Sequence, residues 1–466
     1  MTERRVKTLI SMAFPITLQN LINFAVNLVD TVMLGQLGEM PLAASSLGNQ
    51  LFFIVTLVVY GIGGGANVLI AQCWGRRDLA PIYKILDYMY AIAAGFALLV
   101  GMAAINAPMI VMRFFTNDTK VISFGAGYLK IVGWSYLFFT MTTVTLCVLR
   151  SVHIVKIATI VSTISLLINV ILNDALIFGK YGMPRMGMKG AAVATLTARI
   201  IEFLFLIFYL CNKEKKLNLV RYVQARFAWW KKAEQSIYNV GTVSWKTFRT
   251  TCIPVIVNEL FWALGEAAVS MILGRMGAEI VSANAIYTNI SELSGVVVSG
   301  MCSAACVMIG NTIGTGNLKE LKIQKSMFQR ISIFVGIVGM LIMLICRGFI
   351  TEFYPVTETT KAYVSQIMLI GSAVELCRSI QTMNSMGVLR GAGDVKFAML
   401  NDLLFLWGFT IPCGIVAGLV LEWPVYRVYI VLKLDQLLKI FTSQYRIKRT
   451  KWLHHGMVER LREVEN

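Results

Sequence analysis

Residues 58–75 read VVYGIGGGANVLIAQCWG, and residues 297–314 read VVSGMCSAACVMIGNTIG. At this offset of 239, Val58, Val59, Gly61, Ala66, Val68, Ile70 and Gly75 meet Val297, Val298, Gly300, Ala305, Val307, Ile309 and Gly314. The same shift pairs Pro15 with Pro254, Leu21 with Leu260, Leu34 with Leu273, Gly35 with Gly274, Gly38 with Gly277 and Ala44 with Ala283. Thirteen identities in 61 positions, four of them glycine and one proline, exceed what shared hydrophobicity produces. Further on, Val148-Leu149-Arg150 meets Val388-Leu389-Arg390, and Lys156 meets Lys396, at an offset of 240. The chain is a duplication, and its fold is the fold of one half used twice.

The 466 residues are 57% hydrophobic and 15% charged, with a mean hydropathy of +0.68. Soluble domains are about 45–50% apolar and about 25% charged, so a soluble enzyme is excluded. A helix crossing about 30 Å of hydrocarbon needs about 20 mostly apolar residues. Twelve stretches are read this way: 8–34, 42–70, 82–112, 127–149, 156–178, 190–211, 248–273, 284–310, 326–350, 363–386, 397–421 and 425–443. The longest polar stretch, 212–247, separates six from six and carries Lys213, Lys215, Lys216, Arg221, Arg226, Lys231 and Lys232. The predicted fold is an all-α polytopic membrane protein with twelve transmembrane helices. Residues 1–211 and 248–445 form two six-helix lobes, 212–247 a cytoplasmic basic linker, and 446–466 a cytoplasmic tail. An even number of helices separates the matched segments, so the repeats enter the membrane in the same direction, an architecture known among secondary transporters.

Lys and Arg number 43 against 25 Asp and Glu, a formal charge of +18. In a soluble chain that excess points to nucleic acid, whereas in a membrane protein Lys and Arg collect in cytoplasmic loops. With the N-terminus inside, cytoplasmic segments hold 29 of the 43, external segments nine and the spans five. The excess is therefore an orientation signal, and no nucleic-acid partner is needed. It predicts a multi-pass protein of the inner (plasma) membrane with both termini cytoplasmic. The apolar stretch from Thr8 past Val32 is too long for a signal-peptide core and is read as the first membrane helix. Nine cysteines lacking any CxxC pair argue against a disulfide framework or zinc site. His153, His454 and His455 cannot form a metal triad near an apolar cluster.

Polar residues recur inside the spans at helical spacing. Gln19, Asn23, Asn27 and Asp30 share one face of span one, and Ser162, Ser165, Asn169 and Asn173 one face of span five, with Asp174 about 100° away. Span seven places Glu259 and Glu266 on one face, and span ten places Ser372, Glu375, Ser379, Thr382 and Ser385. A carboxylate facing lipid is costly, so such faces look inward. Ser and Thr on them read first as interhelical packing residues, whereas an intramembrane acid such as Asp30 reads first as functional. Glu259, Glu266 and Glu375 admit either role, Glu375 through a structural pair with Arg378. Asp30 aligns with Val269, and Glu259 and Glu266 with Asn20 and Asn27, so the acids are not duplicated and an ion site would belong to one lobe. The run Gly61, Gly63, Gly64 and Gly65 lacks a following Lys-Ser/Thr and reads as close helix packing, not a phosphate loop. Pro15 and Pro254 are read as lying early in their helices, where a missing donor costs least.

These features together resemble the multidrug and toxic compound extrusion (MATE) family, in its NorM/DinF-like bacterial form. The resemblance runs from Ala13-Phe14-Pro15 to Lys451-Trp452. It is carried by Val29-Asp30-Thr31-Val32-Met33-Leu34-Gly35, Ala71-Gln72-Cys73-Trp74-Gly75, Leu149-Arg150, the segment Gly187 to Thr195, and Leu389-Arg390-Gly391-Ala392-Gly393-Asp394. It implies a secondary antiporter that alternates between inward-open and outward-open states, expelling organic cations and other amphiphiles in exchange for Na⁺ or H⁺. It also implies that Asp30 is the cation or proton site, with Asn169 and Thr195 in the same cluster. Where many members carry an acid four residues after that Asn, this chain has Asn173 with Asp174 beside it. The C-lobe acids of some NorM-like members would fall at Trp262 and near Ser379, neither acidic, so no C-lobe ion site is carried over.

The expected function is thus export of amphiphilic or cationic compounds by an antiporter working as a monomer in the lipid bilayer, with no cofactor and no metal beyond Na⁺ at Asp30. Asp30, Asn169, Asn173, Asp174 and Thr195 are its coupling candidates, and Gln19, Asn23, Asn27, Glu259, Glu266 and Glu375 its path candidates. The alternative is a lipid-linked oligosaccharide flippase of related architecture, which the few basic residues within spans disfavour. A membrane enzyme is disfavoured by the lack of an HExxH pattern or paired intramembrane histidines.

Overall fold

The computed structural model describes residues 2–214, 216–227, 243–353 and 356–449. The middle of the expected linker and most of the expected tail lie outside the described residues.

Two compact units divide the chain. One is Leu18–Ile256; the other joins Met1–Thr17 to Val257–Asn466. The first contains the greater part of α1 (Thr2–Gly35), then α2 (Glu39–Gly75), α3 (Ala80–Asn106), the short α4 (Pro108–Arg113), α5 (Thr119–Val132), α6 (Ser135–Ser151), α7 (Lys156–Phe178), α8 (Met188–Asn212) and α9 (Leu219–Phe227). It closes on the first turns of α10 (Trp245–Met276). The second unit holds the rest of α10 with α11 (Ala278–Thr315), α12 (Leu318–Arg347), α13 (Glu358–Thr382), α14 (Val395–Phe405), α15 (Ile411–Ile415) and α16 (Val425–Lys448). Three π-helical turns, Met383–Leu389, Leu406–Thr410 and Val416–Val420, extend α13, α14 and α15.

Among the described residues nine helices are long and apolar enough to span a membrane, and α5 with α6 makes a tenth, bent by 52°. The other two expected spans are helical but more polar. The helix of span ten, α13, carries Glu358 and Lys361 ahead of the span and Glu375 and Arg378 within it, and span twelve carries Arg427, Lys433, Asp435 and Lys439. The twelve-helix duplicated architecture predicted from sequence is the one observed.

Local chemistry sets the helix boundaries. Asp118 caps α5 by accepting from the Lys120 and Val121 amides at 2.8 and 3.3 Å, and Asn317 caps α12 by accepting from the Glu320 amide at 2.9 Å. The matched Gly38 and Gly277 open α2 and α11 with φ of 110° and 151°, which a side chain would resist. The start of the expected linker folds onto the first unit. Glu214 accepts from the amides of Leu217 and Leu219 at 2.7 and 3.1 Å, and the Tyr222 ring on α9 stacks on Tyr83 at 5.4 Å.

Pro15 and Pro254 depart from expectation. Both lie inside their helices, because α1 begins at Thr2 and α10 at Trp245. Each removes an interior backbone bond two residues before the point where its helix passes from one unit to the other. Matched glycines receive the exchanged helix starts. In the first unit a Cβ on Gly61 would lie 2.7 Å from Ile256 Cα, and one on Gly65 2.6 Å from Cys252 Cα. In the second, a Cβ on Gly300 would lie 3.0 Å from the Thr17 backbone nitrogen. The first two distances are shorter than a real side chain tolerates and the third is tighter than most, so the glycine run Gly61 to Gly65 serves close packing.

Gly65→Leu should therefore lower thermal stability by the equivalent of about 1–3 kcal/mol, the range for overpacking. Gly95→Ala, facing open space, should leave it unchanged; melting curves of the purified protein in detergent compare the two.

Candidate functional site

In the first unit α7 turns a buried polar face inward. Ser162, Ser165, Asn169 and Asn173 are each at most 5% exposed. Their i, i+3 and i+4 spacing places them in one row. The row meets Asp30 of α1, where Asn173 Nδ2 donates to Asp30 Oδ1 at 2.5 Å and to Asn169 Oδ1 at 3.1 Å. The other end of that amide, Asn173 Oδ1, is buried without a hydrogen-bond partner. A carboxylate and an unpaired amide oxygen thus belong to neighbouring side chains, and both are oxygen donors of the kind small hard cations accept.

Fixed charge surrounds this pair. Arg199 of α8 acts electrostatically on Asp30 but is engaged by Glu202, Nη1 to Oε2 at 2.7 Å, and lies over the Phe139 ring at 5.0 Å. Ser165 Oγ donates to the same Glu202 oxygen at 3.1 Å. Thr195 sits half-buried one turn before Arg199 on α8.

The other residues singled out from sequence are dispersed. Asp174 pairs with Lys180 at 2.8 Å, at a partly exposed helix end, and not with Asp30. Gln19 accepts from Arg150 Nη2 at 3.2 Å; Asn23 is half-buried and Asn27 exposed. In the second unit, Glu259 pairs with Arg390 at 3.0 Å. Glu375, fully buried, accepts from Ser294 Oγ at 3.0 Å and pairs with Arg378 at 3.3 Å. Arg378 also donates to Ser291 Oγ at 2.7 Å. Glu266 is half-buried two turns beyond Glu259 on α10.

A third network went unread in the sequence. Lys439 Nζ of α16 lies 2.7 Å from Asp435 Oδ2 and 3.9 Å from Asp402 Oδ1. Gln381 Nε2 and Asn258 Nδ2 donate to Asp402 at 3.0 and 3.4 Å. Both partners lie inside the fold: Lys439 is 4% exposed and Asp435 3%. The signal was present: an acid and a base four apart on one helix pair across a single turn.

These are the fold and polar interior of a multi-pass helical membrane protein. A family model described as MatE matches residues 15–174 and 254–416, two segments that begin at the matched prolines. The chain belongs to the MatE family, and its similarity is to NorM-like members. A probable multidrug resistance protein NorM of Idiomarina loihiensis is 26% identical over 416 residues, covering 88% of this chain and 86% of that protein. The multidrug resistance protein MdtK of Yersinia enterocolitica is 23% identical over 420 residues, 89% of this chain and 88% of the relative. An outward-facing multidrug resistance MATE transporter of the MOP superfamily superimposes with a TM-score of 0.82 at 15% identity, covering 96% of both chains.

The buried ion pairs make an ordered prediction. Lys439→Met strands two carboxylates and should cost about 3–5 kcal/mol, whereas adding Asp435→Leu removes one stranded charge and should restore much of it. Thermal denaturation of the single and double variants reads the difference; equal melting temperatures would deny the coupling.

Proposed function

We propose that this protein is a secondary active antiporter of the inner membrane, exporting organic cations or other amphiphilic compounds in exchange for Na⁺ or H⁺. Both termini are cytoplasmic in this reading, one chain is the functional unit, and no cofactor is required. The observation that carries it is Asp30 held against Asn173, whose carbonyl oxygen is buried and unpaired. The relatives' names as multidrug resistance proteins support the choice of cargo.

The chemistry rests on one negative charge with a neutral hydrogen-bond donor. Among the described residues no basic group lies within ion-pair distance of Asp30, so its charge is available to a mobile cation. Asp30 and Asn173 Oδ1 would bind a coupling ion, or Asp30 would take a proton, and either cancels the charge that attracts a cationic compound. The two ligands then compete, and each shifts the conformational equilibrium only through its differential affinity for the two states. Binding and release on opposite sides of the membrane turn that competition into exchange.

Dye efflux from proteoliposomes under separately imposed Na⁺ and proton gradients tests this. Asp30→Asn should abolish uphill efflux driven by whichever gradient drives the wild type, and Asn173→Leu should weaken it by about ten-fold or more, the worth of one charge-assisted hydrogen bond. Unchanged gradient-driven transport in a well-folded Asp30→Asn protein would sink the proposal.

A further inference from the structure

Far along the chain from this site, the ends of several helices in the second unit surround a cavity of about 520 Å³. Its wall is built by unusual backbone. The π-helical turn Val416–Val420 ends in wide hydrogen bonds, Leu421 N to Val416 O at 2.8 Å and Trp423 N to Ala417 O at 3.0 Å. Glu422, inside that wide turn, takes φ 49°. This left-handed conformation is costly for a glutamate and cheap for glycine or asparagine. Such strain clusters at ligand-binding positions. Gly418 lines the same wall, where a Cβ would come within 3.0 Å of Met276 Sδ.

The cavity presents two opposite charges. Arg275, in the last turn of α10, and Glu422 both line it, and among the described residues neither has a hydrogen-bond or ion-pair partner. Tyr363, Trp423 and Tyr426 line it as well, all near helix ends. Aromatic rings at the ends of membrane helices lie at headgroup depth. Val416, Val420 and Leu421, in and just after the turn that supplies this wall, are exposed apolar side chains. The Tyr426 ring is already met by Arg427 at 5.6 Å. A ligand answering the remaining groups therefore carries an anion for Arg275, an ammonium for Glu422 and Trp423, and a hydrocarbon part for the exposed apolar side chains of the turn.

We propose that this cavity binds the headgroup of a zwitterionic phospholipid, with the phosphate on Arg275 and the ammonium on Glu422. An amine-bearing headgroup is then preferred over a glycerol headgroup, because only the former answers Glu422. Acyl chains along Val416 and Val420 distinguish the lipid from a soluble phosphate–ammonium compound. The site is independent of Asp30 and of the transport reading.

Native mass spectrometry of the delipidated full chain tests it, with titration by phosphatidylethanolamine, phosphatidylglycerol or soluble phosphoethanolamine. The wild type should retain one phosphatidylethanolamine with about ten-fold preference over phosphatidylglycerol, the worth of one charge-assisted hydrogen bond. Arg275→Gln should weaken both lipids. Glu422→Gln should weaken phosphatidylethanolamine alone and erase the preference. Glu422→Gly should erase it too while raising the melting temperature, because glycine relieves the strained φ; that separates binding from folding. Wild-type retention in both the Arg275 and Glu422 variants would overturn the proposal. So would binding of soluble phosphoethanolamine as tight as that of the lipid.

Discussion

A charge placed among helices in hydrocarbon has to be answered by an opposite charge or a dense set of dipoles, because leaving it bare costs several kcal/mol. That constraint organises the interior of this protein. Glu202 is answered by Arg199, Glu259 by Arg390, Glu375 by Arg378 and Asp435 by Lys439. Asp30 is answered differently, by the amide of Asn173. The paired acids are self-contained and cement their unit. Asp30 has no ion-pair partner among the described residues, and it is on this difference from the paired acids that the proposed coupling role rests.

Duplication explains the scaffold and not the site. Matched glycines accept matched helix starts, Gly61 against Ile256 and Gly300 against Thr17, so each repeat contributes the opening of its first helix in the same way. The acidic positions have diverged instead: Asp30 stands where the second repeat has Val269, and at the offset of 240 Asp402 and Asp435 meet Ser162 and Thr195 while Lys439 meets the basic Arg199. Symmetry of packing with asymmetry of charge lets one geometry serve two different interiors.

Much of this was legible in the sequence. The constant offset, the apolar spans and the polar face of α7 translate directly into structure, because helical periodicity and burial are local properties. Asp30, Asn169 and Asn173 were singled out together and are hydrogen-bonded together. What the sequence hid depended on pairing between helices. Asp174 lies one residue from Asn173 yet turns toward Lys180. Lys439 and Asp435 are four apart near the end of a span, and only their burial shows that the pair lies inside the fold. Pro15 looked early in its helix because polar residues such as Arg4, Arg5 and Lys7 hide the turns that precede it. Arg5 is held by Glu320 at 2.6 Å, a partner more than 300 positions away that no local pattern announces.

The central claim is that the exported compound and the coupling cation compete for one charge at Asp30. Competition of this kind is reciprocal in binding free energy. The most direct measurement is the dissociation constant of a fluorescent organic cation for the purified protein, taken as a function of Na⁺ concentration and, separately, of pH. In the wild type it should rise with one of the two cations toward a slope of about one on logarithmic axes, as one-for-one competition requires; in Asp30→Asn it should be flat. The same slope in the variant would place the competition elsewhere and contradict the account.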